Sequence, residues 1–174
     1  MSQNKHNSES AAPREPRFRS ILIICAANTA RSVMAEYILK RELETRGMHT
    51  SVSVSSAGIA AYARDGALVS MDTRLVLRDD GIHISEELTS TDLKRHPELL
   101  EAADLVLAMT EEQARSLVEK FPGAAGRRVH TLRSFAGELG DIEDPYEKGD
   151  EVFTACREEI KRLIPVVIER LFED

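Results

Sequence analysis

From Ser20 onward the chain alternates between short apolar runs and longer stretches whose apolar residues return every three or four positions. SILIICA (20–26) is a continuous, β-branched run, the pattern of a strand covered on both faces. Met34 and Ile38, with Ala35, Leu39 and Leu43, then keep helical spacing as far as Gly47, a natural stop. SVSVSSAG (51–58) alternates with period two and ends in small turn residues, which predicts a second strand. Leu68, Met71 and Leu75, with Val69 and Val76, predict a second helix closed by Gly81. ADLVLAM (103–109) predicts a third buried strand. TEEQARSLVEKF (110–121) predicts a helix capped by Thr110, with Glu111 and Glu112 in its first turn. RRVHTL (127–132) predicts a shorter fourth strand. A final helix carries Phe153, Cys156, Ile160, Leu163, Val167 and Leu171 on one stripe. Pro165 falls inside it and predicts a kink, since its ring and missing N–H oppose the bond back to Lys161.

Strands separated by helices predict a three-layer α/β fold, a four-stranded parallel sheet with helices on both faces. No internal repeat or second domain interrupts the pattern. At 174 residues the chain can bury a core without disulfide or metal staples. Residues 1–18 are polar, with Ser, Asn, Glu and Pro, and predict a disordered tail ahead of a folded domain at 19–174.

Composition narrows the function by exclusion. A net charge of −7 argues against nucleic acid or an anionic membrane surface as partner, while leaving room for a local basic pocket. No run approaches the roughly 20 apolar residues that span a bilayer. The N-terminus has no apolar signal segment, and the two cysteines, Cys25 and Cys156, lie far apart, so a reducing cytoplasm is expected. His6, His49, His83, His96 and His130 show no metal-ligand spacing.

Candidate chemistry concentrates after the first strand. Open parallel sheets bind ligands at the carboxyl ends of their strands, and Cys25 ends the first one. CAANTARS (25–32) therefore puts a thiol over a turn of backbone N–H groups and a helix N-terminus, which favour an anion and a thiolate. Ala26, Ala27 and Ala30 let the backbone wrap closely, and Arg31 offers a planar fork of donors for phosphate oxygens. Together these residues describe a phosphate site with its own nucleophile. The amide cradle and Arg31 supply the positive field, so neither a metal nor another cofactor is expected. Cys156, mid-helix on an apolar stripe with no such surroundings, is expected to be core packing.

ILIICAANTARSVMAE resembles the N-terminal signature of the low-molecular-weight protein-tyrosine-phosphatase family, whose usual form is C-x-G-N-x-C-R-S-P-M-A-E. The likeness continues through SSAGI, ADLVLAMT and DIEDPY, and so spans nearly everything from Ser20. It implies that the loop from Ala26 through Ala27, Asn28, Thr29 and Ala30 to Arg31 and Ser32 holds the phosphate. It further implies that Asn28 supports a strained loop backbone, that Ser32 donates to the Cys25 thiolate, and that Ser56 braces Asn28. The family's acid is the aspartate of an Asp-Pro-aromatic triplet, here Asp144, Pro145 and Tyr146. The chemistry agrees: a thiolate attacking phosphorus expels a poor leaving group, which a carboxylic acid must protonate. Pro145 restricts Asp144 to extended conformations, and Tyr146 offers a wall for an aromatic ring.

Three positions depart from the usual form. Ala27 replaces a glycine, which would strain the loop if its φ were positive. Ala30 replaces a second cysteine, removing the reversible disulfide that protects the nucleophile. Val33 replaces proline. Glu87 also stands where the family often carries a histidine, so bracing of the loop is expected to differ.

The resemblance implies a phosphatase acting on phosphotyrosine in proteins through a phosphocysteine. A protein-arginine phosphatase is the nearest alternative, because family members of that kind carry threonine at the position of Thr29. Arsenate reduction and an inactive phosphate-binding module are further alternatives. The expected partner is a phosphorylated protein, and a monomer is the default assembly.

Overall fold

The computed structural model describes residues 14–173. Four strands, β1 (Ser20–Cys25), β2 (Ser53–Gly58), β3 (Leu105–Ala108) and β4 (Arg128–Thr131), form one sheet in the order β2-β1-β3-β4, every pair parallel. The helices are α1 (Arg31–Thr45), α2 (Met71–Asp79), α3 (Pro97–Ala102), α4 (Glu111–Lys120), α5 (Leu132–Phe135) and α6 (Asp150–Leu171).

β1 explains the layering. Its side chains alternate, so Ile21, Ile23 and Cys25 join the core packed by α1, α5 and α6, while Leu22 and Ile24 join a second core with Leu100 of α3 and Leu117 of α4. All five are buried, which accounts for an unbroken apolar run rather than an alternating one. The expected three-layer α/β architecture is the one observed. β1 is also where the strand order reverses, with β2 on one side and β3 on the other. Its carboxyl end is therefore the switch-point crevice of the sheet.

Cap chemistry sets several boundaries. Thr110 caps α4 as expected, and Gln113 completes a reciprocal pair by accepting from the Thr110 N–H. Gly47 follows α1 at φ 69°, a left-handed position that ends the helix at low cost. In α6 the expected stripe is buried, and Ile164 and Ile168 widen it. The helix runs unbroken through Pro165, because buried apolar residues on both sides hold it to the core across the missing bond.

Some expectations need correction. Leu68, Val69, Met71, Leu75 and Val76 were expected to mark one helix, yet Leu68 and Val69 lie ahead of it, and Leu68 is 73% exposed and Met71 67% exposed. The helix instead starts after the Ser70 cap and buries Thr73, Val76 and Leu77. Val69 is buried ahead of the cap. Phe18 falls within the expected tail but is buried, edge-on to Phe135, and the Arg17 N–H donates to the Leu171 carbonyl. Arg17 and Phe18 are thus packed onto the folded domain, tied to the end of α6 and to α5. Residues 1–13 of that tail lie outside the described residues. α3 and α5, six and four residues long, are too short to produce a periodic signal. No described helix is long and apolar enough to cross a membrane.

Candidate active site

The loop between β1 and α1 gets its shape from Asn28, whose φ of 59° puts it in the left-handed region. Asparagine tolerates that region better than most residues. Its side chain also fastens the turn. Nδ2 donates to Ser32 Oγ and to Ser56 Oγ, both at 2.9 Å, and Oδ1 accepts from the Thr91 N–H at 2.9 Å. Asn28 and Ser56 meet as the resemblance implied. The Thr91 amide was missed, since nothing local in the sequence ties residue 91 to the loop. Glu87 is exposed and lies outside this network. Ala27 carries no positive φ, so the strain expected from losing a glycine there is absent.

Cys25 is buried at the end of β1, inside this turn. The Asn28 N–H donates to its Sγ at 3.3 Å, and Ser32 Oγ lies 2.9 Å from the same sulfur. Because Ser32 already accepts from Asn28, its own hydrogen is free to go to sulfur. The first bond of α1 runs from the Met34 N–H to the Ala30 carbonyl, and no side chain caps the end. The preceding amides form the helix N-terminal cradle that favours an anion.

Arg31 is buried beneath the loop, and its Nη1 donates to the Ile142 carbonyl at 3.0 Å. That bond fixes the guanidinium plane. Nη2 lies 3.6 Å from Asp144 Oδ2, in a contact whose carboxylate side is half exposed. Asp144 is aimed by its own turn: its Oδ1 accepts from the Tyr146 N–H at 3.1 Å, and Pro145 is buried. Neighbouring acids are engaged elsewhere. Asp141 accepts from the Glu111 amide, and Glu143 pairs with Lys148.

These groups open into a cavity of about 440 Å³ lined by Cys25, Arg31 and Asp144. Thr29, Tyr62, Leu68 and Tyr146 also line it. Ala26, Ala27 and Ala30 contribute loop backbone, and Phe153 of α6 is a further lining residue. A larger hollow of about 820 Å³ touches Ala26 and Arg31 and extends to Leu93 and Leu100, but contains neither the thiol nor Asp144. Cys25, Arg31 and Asp144 are brought together only in the smaller one. Tyr62 and Ser70 were missed from sequence. Tyr62 follows the carboxyl end of β2, at the same edge as Cys25, and that position was its available signal.

Thr29 is held through its backbone. Its carbonyl accepts from the Ser70 N–H at 3.1 Å and from Thr73 Oγ1 at 3.2 Å, fixing the loop to the start of α2. Cys156 contrasts with Cys25. Burial pushes its thiol up to about 12, against an opposing pull from the Arg31 charge, so it stays protonated at neutral pH. Among the described residues, no group of three or more His, Cys, Asp or Glu side chains is placed to hold a metal ion.

Comparisons with known proteins agree over nearly the whole chain. The family model for low molecular weight phosphotyrosine protein phosphatases matches residues 20–174. A protein-arginine-phosphatase of Geobacillus stearothermophilus is 36% identical over 87% of this chain and 95% of its own. A low molecular weight protein-tyrosine-phosphatase of Acinetobacter johnsonii is 31% identical over 79% of this chain and 87% of its own. Among solved structures, a low molecular weight protein tyrosine phosphatase from T. tengcongensis superposes with a TM-score of 0.78 at 36% identity. That match covers 88% of this chain and 99% of the other.

Proposed function

Because the chain belongs to the low molecular weight phosphotyrosine protein phosphatase family, and so to the cysteine-dependent phosphatases, we propose that it hydrolyses phosphotyrosine in proteins through a phosphocysteine on Cys25. One observation carries the reading. Cys25, Arg31 and Asp144 line one cavity, and the Cys25 sulfur receives two donors from the loop.

In the first step the Cys25 thiolate attacks phosphorus and the bond to the tyrosyl oxygen breaks. Asp144 gives that oxygen its proton, so tyrosine leaves neutral. In the second step the Asp144 carboxylate takes a proton from an attacking water. The P–S bond breaks, returning the thiolate and releasing inorganic phosphate. Throughout, the loop amides and the remaining N–H groups of Arg31 face the phosphoryl oxygens, where charge builds in the transition state. Ser32 offsets the charge returning to sulfur. Tyr62 and Tyr146, at the cavity rim, are the proposed walls for the phenol ring.

Phosphoarginine is a second reading, favoured by Thr29. This residue lines the cavity, and its hydroxyl can accept from a guanidinium N–H where a purely apolar side chain cannot. Arsenate reduction is disfavoured, because the only other cysteine in the chain is buried and held as a thiol. A reducing cytoplasm is the proposed compartment, since Cys25 acts only while reduced.

The test is kinetics on matched phosphotyrosine and phosphoarginine peptides, with Cys25→Ser as the blank. Preferential hydrolysis of phosphotyrosine, abolished in Cys25→Ser, is expected. A preference for phosphoarginine makes the second reading correct. Turnover that survives Cys25→Ser refutes the covalent mechanism under either.

A further inference from the structure

Leu68, just ahead of α2, and Met71 and Leu75 on it are apolar residues that lie on the surface, beside the proposed active site. Leu68, Met71 and Leu75 line a groove of about 760 Å³ together with Ile82, His83 and Ile84. Leu68 and Ser70 line both this groove and the cavity over Cys25, so the two are continuous. The groove is also preformed. Arg74 donates to the carbonyls of Ser85, Glu86 and Leu88, locking the 82–88 segment against α2. Arg78, one turn beyond Arg74, is exposed, and its guanidinium has no ion-pair or hydrogen-bond partner among the described residues. Glu86 supplies a negative charge to the lining and Arg74 a positive one already engaged with carbonyls.

We infer that this groove docks the polypeptide flanking the phosphorylated residue, in a segment with an apolar side chain for Leu68, Met71 and Leu75 and an acidic one for Arg78. The inference rests on the phosphatase reading. A protein substrate must leave the cavity mouth as extended chain, and this groove is an apolar continuation of that mouth with an unpaired cation farther out. Spacing sets the register. From Ser70 to Arg78 the helix rises about 12 Å, which three to four extended residues cover. The apolar side chain therefore falls about two residues from the phosphorylated position, and the acidic one about four.

The experiment compares two phosphotyrosine peptides, one with leucine and glutamate at those places and one with serine at both, alongside para-nitrophenyl phosphate. They are tested on the wild-type protein, a Met71→Ser/Leu75→Ser double variant, and Arg78→Glu. Met71 and Leu75 are exposed and lie outside the cavity, so the fold and the aryl phosphate rate should be preserved. Wild type is expected to favour the leucine–glutamate peptide by about 10-fold in kcat/KM. The double variant should lose most of that preference, and Arg78→Glu should lose the part due to glutamate.

An unchanged preference in both variants overturns the inference. So does a wild type indifferent to the flanks, or light scattering that shows the groove closed by a second copy of the chain. Failure to hydrolyse the aryl phosphate itself overturns the phosphatase reading, and the docking inference with it. Normal aryl phosphate turnover without a flank preference overturns the docking inference alone.

Discussion

Replacing Gly58 by alanine should damage the site although the residue carries no side chain and does not touch the cavity. Gly58 ends β2 opposite Cys25, where the strand passes directly under the phosphate loop. A Cβ built there would sit 2.8 Å from the Ala26 carbonyl oxygen, 2.9 Å from the Ala27 carbonyl carbon and 3.1 Å from Ala63 Cβ. Ordinary contact begins near 3.4 Å, so the loop backbone must retreat by about 0.6 Å. It cannot do so freely. The Ile59 N–H bonds to the Cys25 carbonyl and the Ala60 N–H to the Ala26 carbonyl, both at 3.0 Å, clamping the loop to the segment that carries the new methyl.

Overpacking of this kind costs about 1–3 kcal/mol, to be read from urea unfolding. A displacement of 1 Å in a positioned group can cost about 100-fold in rate, so half that distance should lower kcat by about 10-fold. The assay is steady-state hydrolysis of para-nitrophenyl phosphate. Full stability together with full kcat would refute the argument. A stability loss with unchanged kcat would mean that Ala63 and its loop give way, leaving the phosphate loop in place.

Asp144→Asn keeps the acceptor that the Tyr146 amide uses but cannot give up a proton in the same way. The rate on phosphotyrosine should fall by about 10²- to 10⁴-fold, and by much less on an activated aryl phosphate, whose leaving group departs as an anion. Equal losses on both would place the acid elsewhere. Thr29→Ile preserves β-branching while deleting the hydroxyl. If phosphoarginine is a substrate, its kcat/KM should fall by the equivalent of about 1–3 kcal/mol while phosphotyrosine turnover holds. Parallel changes would reduce Thr29 to loop packing. Hydrogen bonds to Asp65 and then Glu98 raise the pKa of His96 above its ordinary 6.5. Protonated His96 therefore fastens the loop bearing Tyr62. This stabilisation is complete below pH 6.5 and disappears as pH rises through the elevated value. His96→Gln should flatten the unfolding midpoint across that window, and an unchanged pH profile would show that the contact adds nothing.

The framework of the fold was legible because burial on both faces writes continuous apolar runs, as in SILIICA and ADLVLAM. The candidate loop of Cys25 and Arg31 was legible because its neighbours are local, a turn and a helix start, whereas Asp144 came from the family resemblance. What escaped was held by distance. The Thr91 amide that fixes Asn28 is 63 residues away, and the Ile142 carbonyl that orients Arg31 is 111 away. The misplaced face of α2 has a different cause. Periodicity locates a helix's apolar residues without saying whether they meet the core or a solvent-facing groove, and here Thr73 takes a buried place that hydrophobicity alone would refuse it.

The three bonds of Asn28 join the turn after β1 to the end of β2 and to the segment at residue 91. An anion-binding loop fastened in this way exists only once strands far apart in the chain have come together. Ordering it is therefore a cost of folding rather than of binding, and if the loop holds phosphate as proposed, the anion meets a receptor already set. By mass action, free phosphate held there would then favour the folded chain over every partly assembled form, by an amount that grows with the logarithm of its concentration. Inorganic phosphate, the product of the proposed reaction, would so act as a chaperone for the protein that releases it.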